Sequence, residues 1–171
     1  LTGSISGGYA NLGRELILMV GLTGVTVSGT ATSFNSSTDD VMIQLIKNGT
    51  SNVAYETVVK GNTANYSIAG VAADTYIMKV MKNNHITREY TVIVSAENVT
   101  QDVKIHLKGD INGDGKITTV DAMRANSHAR GVTLLTGYEL KCADVVGTDG
   151  KITTADAMRI NAHARKTALL W

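Results

Sequence analysis

Apolar and polar side chains alternate between residues 22 and 107, and this alternation stops near residue 108. The alternating runs end at turn signals such as Asn48-Gly49 and Asn83-Asn84. A period of two is typical of β-strands with one buried face, and asparagine and glycine are typical of the tight turns between them. We therefore predict that residues 22–107 form an all-β antiparallel sandwich of about seven strands.

The predicted strands are residues 25–29, 41–46, 54–59, 65–68, 75–81, 88–94 and 99–107. Residues 70–76, with the sequence GVAADTY, and the strands beside them resemble carboxypeptidase-regulatory and prealbumin-like sandwiches. That resemblance implies a domain that acts as a spacer or stabiliser. The tyrosines lie within predicted strands, where packing explains them better than sugar stacking does. A carbohydrate-binding sandwich remains an alternative.

Residues 1–21 precede the alternating region and show no clear period. They begin rich in glycine and serine, and residues 15–20 are compatible with either a helical turn or a first strand. The chain does not start with methionine, carries no secretion signal and has no apolar run near the ~20 residues that a membrane helix needs. We expect a lead-in cut from a longer protein, and no membrane insertion.

Composition narrows the classes of function. The formal net charge of +1 gives no reason to expect nucleic acid or an anionic membrane as a partner. The single cysteine, Cys142, excludes an internal disulfide. No serine, histidine and aspartate fall into the sequence context of a known nucleophile. We predict that the chain is not an enzyme.

Beyond residue 108 the sequence repeats with a period of 35 residues. Residues 114–130 recur almost unchanged as residues 149–165. This predicts a duplicated loop–helix unit, with helices that begin near Thr119 and Thr154 and a short helix over residues 138–142. Alanine or isoleucine at positions 122, 125, 129, 157, 160 and 164 would form stripes through which the helices pack. Cys142 aligns with Leu107 and is predicted to be a buried apolar residue.

The twelve residues 110–121, which we call loop 1, follow the EF-hand calcium pattern. Oxygen-bearing side chains stand at positions 1, 3, 5 and 12, and Gly115 stands at position 6, where the loop must bend sharply. Position 12 is aspartate, which is one carbon shorter than the usual glutamate. The predicted calcium ligands are Asp110, Asn112, Asp114, the carbonyl of Lys116, Thr118 and Asp121.

The second copy, residues 144–156, is one residue too long, and we call it loop 2. Aligned backward from its last residue, it has Val145 and Gly147 at positions 1 and 3, which offer no side-chain oxygen. Asp144 can replace them if the extra residue bulges out. The predicted ligands are Asp144, Asp149, the carbonyl of Lys151, Thr153 and Asp156, with Thr148 or a carbonyl filling in. We expect a second, weaker calcium site.

Two loop–helix units with calcium loops that end in aspartate resemble the dockerins of cellulosome-like assemblies, over residues 108–171. A β-sandwich that leads into them through Leu107-Lys108-Gly109 is similar to bacterial X-module–dockerin pairs. The resemblance implies a calcium-dependent module that docks its parent protein onto a cohesin of a scaffoldin. It also implies secretion, attachment to the bacterial cell surface and polysaccharide degradation by associated enzymes.

The inward stripes leave the outward face of the two predicted helices free, and the resemblance implies that residues at such positions contact cohesin. We call this outward face the helix face; its residues are Thr119, Val120, Met123, Asn126, Ser127, Arg130, Thr154, Ala155, Met158, Asn161, Ala162 and Arg165. An EF-hand calcium sensor or buffer is the rival interpretation. Sensors expose a methionine-rich groove, and two methionines on this face are few for that role.

Overall fold

The computed structural model describes residues 24–171, so the predicted lead-in over residues 1–21 lies outside the described residues. It contains eight strands followed by three helices. These elements are β1 (Val25–Thr32), β2 (Asp40–Lys47), β3 (Val53–Lys60), β4 (Thr63–Val71), β5 (Asp74–Met81), β6 (Arg88–Val94), β7 (Val99–Thr100), β8 (Val103–Lys104), α1 (Thr119–Ala129), α2 (Gly137–Ala143) and α3 (Thr154–Ala164). No helix among residues 24–171 combines the length and the apolar character needed to cross a membrane.

The strands form two four-stranded sheets that pack face to face. One has the order β3-β2-β5-β6, and in the other β1 lies between β4 and the pair β7 and β8. Alternate side chains of both sheets meet in one core, in which Ile43, Leu45, Met78 and Ile105 are fully buried. The predicted sandwich is therefore confirmed as a two-sheet β-domain, while its assignment to the prealbumin-like class stays a prediction.

The last strand differs from the prediction. Residues 99–107 were predicted as one strand of an antiparallel sandwich, but they contain two short strands that both pair with β1 in parallel. The Gln101 carbonyl packs where a Cβ atom on Gly29 would lie, and the Asp102 carboxylate accepts a hydrogen bond from the Thr30 N–H at 2.8 Å. The Asp102 side chain thus takes the hydrogen bond from Thr30 that a backbone carbonyl would otherwise accept. The pairing with β1 is interrupted there, which gives eight strands rather than seven.

Helices α1 and α3 begin with the same cap. The Thr118 hydroxyl accepts a hydrogen bond from the Val120 N–H, and the Asp121 carboxylate accepts one from the Thr118 N–H, which together form a capping box. Thr153 and Asp156 repeat this arrangement in α3. The two helices begin at Thr119 and Thr154, as predicted, and the capping residue is the threonine just before each of them.

The small residues between α1 and α3 are buried. Ala122, Ala125, Ala157 and Ile160 belong to one core with Cys142, which is fully buried and free. The predicted stripes are confirmed at these four positions, whereas Ala129 and Ala164 near the helix ends are only half-buried. The prediction that Cys142 is a buried apolar residue is also confirmed.

Helix α2 carries the side chain that joins the two domains. The Tyr138 hydroxyl donates a hydrogen bond to the Ile86 carbonyl and accepts one from the His106 N–H at 3.1 Å. The Arg88 guanidinium lies 4.7 Å from the centre of the Tyr138 ring, a cation–π distance. The N–H of Gly109, in the connection itself, donates to the Cys142 carbonyl at 2.9 Å. Hydrogen bonds from both domains therefore converge on this junction.

Candidate calcium loops and helix face

Asp110 opens loop 1 as a fully buried carboxylate. Its Oδ1 atom accepts a hydrogen bond from the Gly113 N–H at 2.8 Å, and its Oδ2 atom accepts one from the Gly115 N–H at 2.9 Å. Both glycines have positive φ angles, +70° and +86°, which turn these N–H groups toward the carboxylate. The glycine-rich sequence thus curls the loop around its first acidic residue.

Asn112 and Asp114 form the exposed rim of loop 1. The Asn112 side-chain amide donates to Asp114 Oδ2 at 2.9 Å, and Asp114 Oδ1 accepts from the Lys116 N–H at 2.9 Å. These two residues stand at positions 3 and 5 of the loop. Their side-chain oxygens therefore follow the buried carboxylate of Asp110 by two and four residues in the sequence. Amide and carboxylate oxygens are hard donors of the kind that calcium prefers.

Asp121 closes loop 1 and is also fully buried. Its Oδ1 atom accepts from the N–H groups of Ile111 and Asn112 at 2.9 and 3.2 Å. Its Oδ2 atom accepts from the Thr118 N–H at 2.9 Å and from the Thr118 hydroxyl at 3.1 Å. A cation held by this carboxylate would compete with these donors.

The pKa values of two buried acidic groups, one at the start of loop 1 and one at the end of loop 2, shift in opposite directions. Burial raises the pKa of Asp110, N–H donors such as that of Gly115 oppose the rise, and the nearby Asp121 carboxylate adds to it. Burial also acts on Asp156, but donors that include the Thr153 N–H outweigh it and hold the pKa of this carboxyl below its usual value. Loop 1 therefore concentrates negative charge that a bound cation would relieve.

Loop 2 shows where its extra residue lies. Asp144 Oδ2 accepts from the Gly150 N–H at 2.8 Å, as Asp110 accepts from Gly115, but the pair is one residue further apart. Asp156 Oδ1 accepts from the N–H groups of the two residues that follow Asp144, at 3.0 and 2.8 Å. Asp144 therefore lies where Asp110 lies in loop 1, which is the arrangement expected if the extra residue bulges out.

The insertion is at Gly147-Thr148, where both residues have positive φ angles, +77° and +49°. Position 3 of loop 2 becomes Val146, which has no side-chain oxygen and is 42% exposed. Among the described residues, Asp144 Oδ1 is the buried side-chain oxygen or nitrogen left without a hydrogen-bond partner. Buried polar atoms are rarely left unpaired in native proteins, so this oxygen fits a role as a cation ligand.

The donor chemistry of both loops fits a calcium ion better than a softer metal. Within residues 24–171 no three histidine, cysteine or acidic side chains converge as a metal cluster. EF-hand loops instead draw part of their ligand set from amide, hydroxyl and backbone oxygens, which a cluster of acidic side chains alone does not capture. Hydrogen bonds link some of the predicted ligands, namely Asn112 with Asp114, Thr118 with Asp121 and Thr153 with Asp156, and coordination of an ion remains a prediction.

The helix face lies open on one side of the α-helical domain. Met123 and Met158 are 68% and 72% exposed, which is unusual for two large apolar side chains related by a repeat. An open groove of about 420 Å³ runs between α1 and α3. Its lining residues are Thr119, Ala122, Met123, Asn126, Thr154, Ala157, Met158 and Asn161, which include six of the twelve predicted contacts.

A second groove, of about 360 Å³, flanks α1. Its lining residues are Val120, Met123, Arg124, Ser127, Thr133, Leu134, Leu135 and Glu139. Arg124 donates to Glu139 at 2.7 Å on its rim, whereas the matching Arg159 donates to the Leu169 carbonyl at 2.6 Å. The prediction missed Leu134, which is 68% exposed, and Glu139.

Residues 108–163 match the family described as the dockerin type I domain. The C-terminal domain is a dockerin. Dockerins are non-catalytic interaction modules, and type I dockerins generally bind calcium. The match covers both loops and most of α3, and it ends before the final apolar residues Leu169 and Leu170.

Solved structures with a dockerin also match beyond this domain. Two interface mutants of a type II cohesin–X-dockerin complex from Acetivibrio cellulolyticus cover 80% of this chain and 93% of their own. Their identities are 23% and 21%, and their TM-scores are 0.40 and 0.41. A putative carbohydrate-binding protein from Bacteroides uniformis covers 50% of this chain and 43% of its own, with 16% identity and a TM-score of 0.31. No curated protein sequence matches the chain.

Proposed function

We propose that this chain docks its parent protein onto a cohesin of a scaffoldin in a calcium-dependent manner, with the sandwich acting as the dockerin's stabilising X-module. The observation that carries the proposal is the groove between α1 and α3. It brings Met123 and Met158 from the two copies to one exposed surface, with Asn126 and Asn161 beside them. Apolar anchors within a polar rim are the usual anatomy of a protein–protein interface.

Calcium has a structural role in this proposal. In loop 1 the ion would be held by Asp110, Asn112, Asp114, the Lys116 carbonyl, Thr118 and Asp121, and in loop 2 by Asp144, Asp149, the Lys151 carbonyl, Thr153 and Asp156. Bound calcium neutralises the acidic groups that each loop gathers. Because Asp121 and Asp156 also close the capping boxes of α1 and α3, the loops fix where both helices begin. The helix face therefore depends on the loops.

An interaction module explains the exposed methionines better than a calcium sensor does. A sensor uses a methionine-rich groove. The helix face has two methionines, Met123 and Met158, and the helices that carry them pack together through small inner residues. The sandwich offers little for sugar stacking, because Tyr66 and Tyr76 are only 3% exposed. Secretion, cell-surface attachment and a role in polysaccharide degradation follow from the proposed partner.

The deciding experiment measures binding of the full chain to a panel of immobilised cohesins, with calcium and with a chelator. We expect at least one cohesin to bind with calcium and to release the chain on chelation. The matched control is Asp121→Ala combined with Asp156→Ala, which should bind none in either condition. Calcium binding without capture by any cohesin would favour a sensor or buffer and would overturn the proposed partner.

A further inference from the structure

Side chains of the sandwich pack against loop 1 at Gly113 and Gly115. The Phe34 ring occupies the space that a Cβ atom on Gly115 would need, and the His106 ring does the same at Gly113. Among residues 24–171 loop 2 has no such neighbour, because none of their atoms lies within 4 Å of the Cβ positions of its glycines Gly147 and Gly150. The described part of the sandwich thus contacts the glycines of one copy of the repeat and not those of the other.

A lysine of β8 strengthens this contact. Lys104 Nζ donates a hydrogen bond to the Gly113 carbonyl at 2.7 Å and lies 5.5 Å from the centre of the Phe34 ring. Phe34 is itself fixed, since its N–H donates to His85 Nε2 at 3.0 Å and its carbonyl accepts from Lys82 Nζ at 3.2 Å. The surface behind loop 1 is therefore held by the sandwich rather than formed by freely rotating side chains.

The contacted glycines are the same two that orient the first calcium ligand. The N–H groups of Gly113 and Gly115 donate to the two oxygens of Asp110, at 2.8 and 2.9 Å. A shift of either glycine would move the donors that set the Asp110 carboxylate. Phe34 contacts Gly115 and Lys104 contacts Gly113, so each side chain is separated from the Asp110 carboxylate by one glycine. Preorganised ligands raise the affinity of a calcium loop, because less order must be gained on binding.

We propose that the sandwich preorganises loop 1, so that Phe34, Lys104 and His106 act as positioning residues for the first calcium site and not for the second. The inference rests on the proposed calcium-binding role of the loops. It adds that the sandwich affects the affinity of one of the two sites. By thermodynamic reciprocity, calcium in loop 1 strengthens the contact between the domains by the same factor. Calcium in loop 2 leaves that contact unchanged.

The test measures each site separately in the full chain. Asp156→Ala leaves loop 1 as the remaining site, and Asp121→Ala leaves loop 2; Phe34→Ala is then added to each. Calcium titration by isothermal calorimetry gives the affinities. We expect Phe34→Ala to weaken loop 1 roughly tenfold, within the 5- to 150-fold range common for coupled sites, and to leave loop 2 within about twofold. Equal losses in both loops, or none in loop 1, would overturn the inference.

Two further variants complete the design. Lys104→Met keeps most of the apolar stem and removes both the donor to Gly113 and the charge beside Phe34, so it decides the matter if Phe34→Ala does not fold. Ile93→Ala truncates a 71% exposed side chain at the far end of β6 from Arg88 and should change neither affinity. Absence of calcium binding in the parent chain would remove the proposed function and the inference with it. If neither Phe34→Ala nor Lys104→Met changes the calcium affinity of loop 1, only the inference is removed.

Discussion

Asp144 accepts a hydrogen bond from the Gly150 N–H at 2.8 Å across a loop that carries one residue more than its copy. The contact keeps Asp144 in the place that Asp110 holds in loop 1, although the residues between Asp144 and Gly150 differ. Loop 2 therefore keeps its first acidic residue and has lost the oxygen of position 3, now Val146. The two calcium sites are expected to differ in affinity for this local reason.

Restoring loop 2 should strengthen its calcium binding. Deleting Thr148 and changing Val146→Asn recreates the spacing of loop 1 and supplies the missing oxygen. We expect roughly a tenfold gain in affinity, because ligand number and charge tune calcium loops over several orders of magnitude. Titration in the Asp121→Ala background isolates loop 2, and the deletion without the asparagine is the control. An unchanged affinity in the double change would contradict the assignment of position 3.

Removing the last ligand of loop 1 should abolish that site. Asp121→Ala removes a carboxylate that also completes the α1 capping box, so we expect calcium stoichiometry to fall from two to one. An ion that binds only the folded form stabilises it by about 4 kcal/mol at a thousandfold excess over its dissociation constant. The calcium-induced rise in melting temperature should shrink accordingly. Unchanged stoichiometry by calorimetry would show that loop 1 is assigned incorrectly.

Removing the Tyr138 hydroxyl should destabilise the folded dockerin. Tyr138→Phe removes the donor to Ile86 and the acceptor for His106, and a lost buried partner typically costs about 1–3 kcal/mol. Fluorescence of Trp171, whose ring centre lies 5.0 Å from that of His163, reports unfolding of the dockerin in urea. We expect the unfolding midpoint to fall for Tyr138→Phe.

The matched control removes a hydroxyl inside the sandwich. Tyr55 accepts from the Ala72 N–H at 3.1 Å, far from the dockerin in sequence. Tyr55→Phe should leave the Trp171 transition in place.

Deleting the sandwich should lower the dockerin's melting temperature or its cohesin affinity. An isolated fragment of residues 108–171 that keeps both would reduce the sandwich to a spacer.

Acid should weaken the junction between the domains. Burial, reinforced by the positive charges of Lys104 and Arg88, lowers the pKa of His106 from 6.5 to about 4. The unfolded chain then binds the proton more tightly, so stability is full above pH 6.5 and falls as the pH drops toward 4. The slope from one such histidine is at most about 1.4 kcal/mol per pH unit.

His106→Gln is the comparison for this pH effect. The variant cannot take up the proton, so its urea midpoint should fall less than that of the parent between pH 6.5 and pH 5. Both measurements belong in chelator, because calcium binding by acidic residues is itself pH-dependent. Identical pH profiles for the two chains would exclude His106 as the source.

The helix face should tolerate polar changes poorly if it binds cohesin. Met123→Asp and Met158→Asp each put a charge on an exposed apolar anchor without disturbing the core. We expect one of them to weaken cohesin binding at least tenfold and the other much less, since hot spots dominate interfaces and a second groove lies beside α1. Weak single losses with abolition in the double variant would indicate two binding orientations. An unaffected double variant would exclude this face.

The sequence predicted what depends on local patterns. The EF-hand spacing and the alanine stripe are readable within a short stretch of chain, and the 35-residue repeat is readable by comparing the sequence with itself. The structure has two matching capped helices and buries four of the six stripe positions. The last strand was mispredicted because its break depends on Asp102 reaching Thr30, which is 72 residues away in sequence. Alternation cannot reveal such a contact.

The site was predicted less completely than the fold. The sequence predicted that the extra residue of loop 2 bulges out. It did not place the bulge at Gly147-Thr148, because that position depends on which N–H groups Asp144 and Asp156 hold. The role of Phe34 was also hidden, because it follows β1 and meets Gly115 only after the whole sandwich has formed. Long-range contacts of this kind carry no periodic signal.

The packing of Phe34 and His106 against two glycines affects how this protein can be recombined. A fusion that joins residues 108–171 to an unrelated domain keeps both loops and both long helices. It nevertheless leaves the glycine pair uncovered and the Tyr138 hydroxyl without its partners in the sandwich. A new neighbour would have to supply an aromatic ring, a lysine and a free carbonyl at matching positions. The unit that can be moved intact between proteins is therefore the sandwich and the dockerin together.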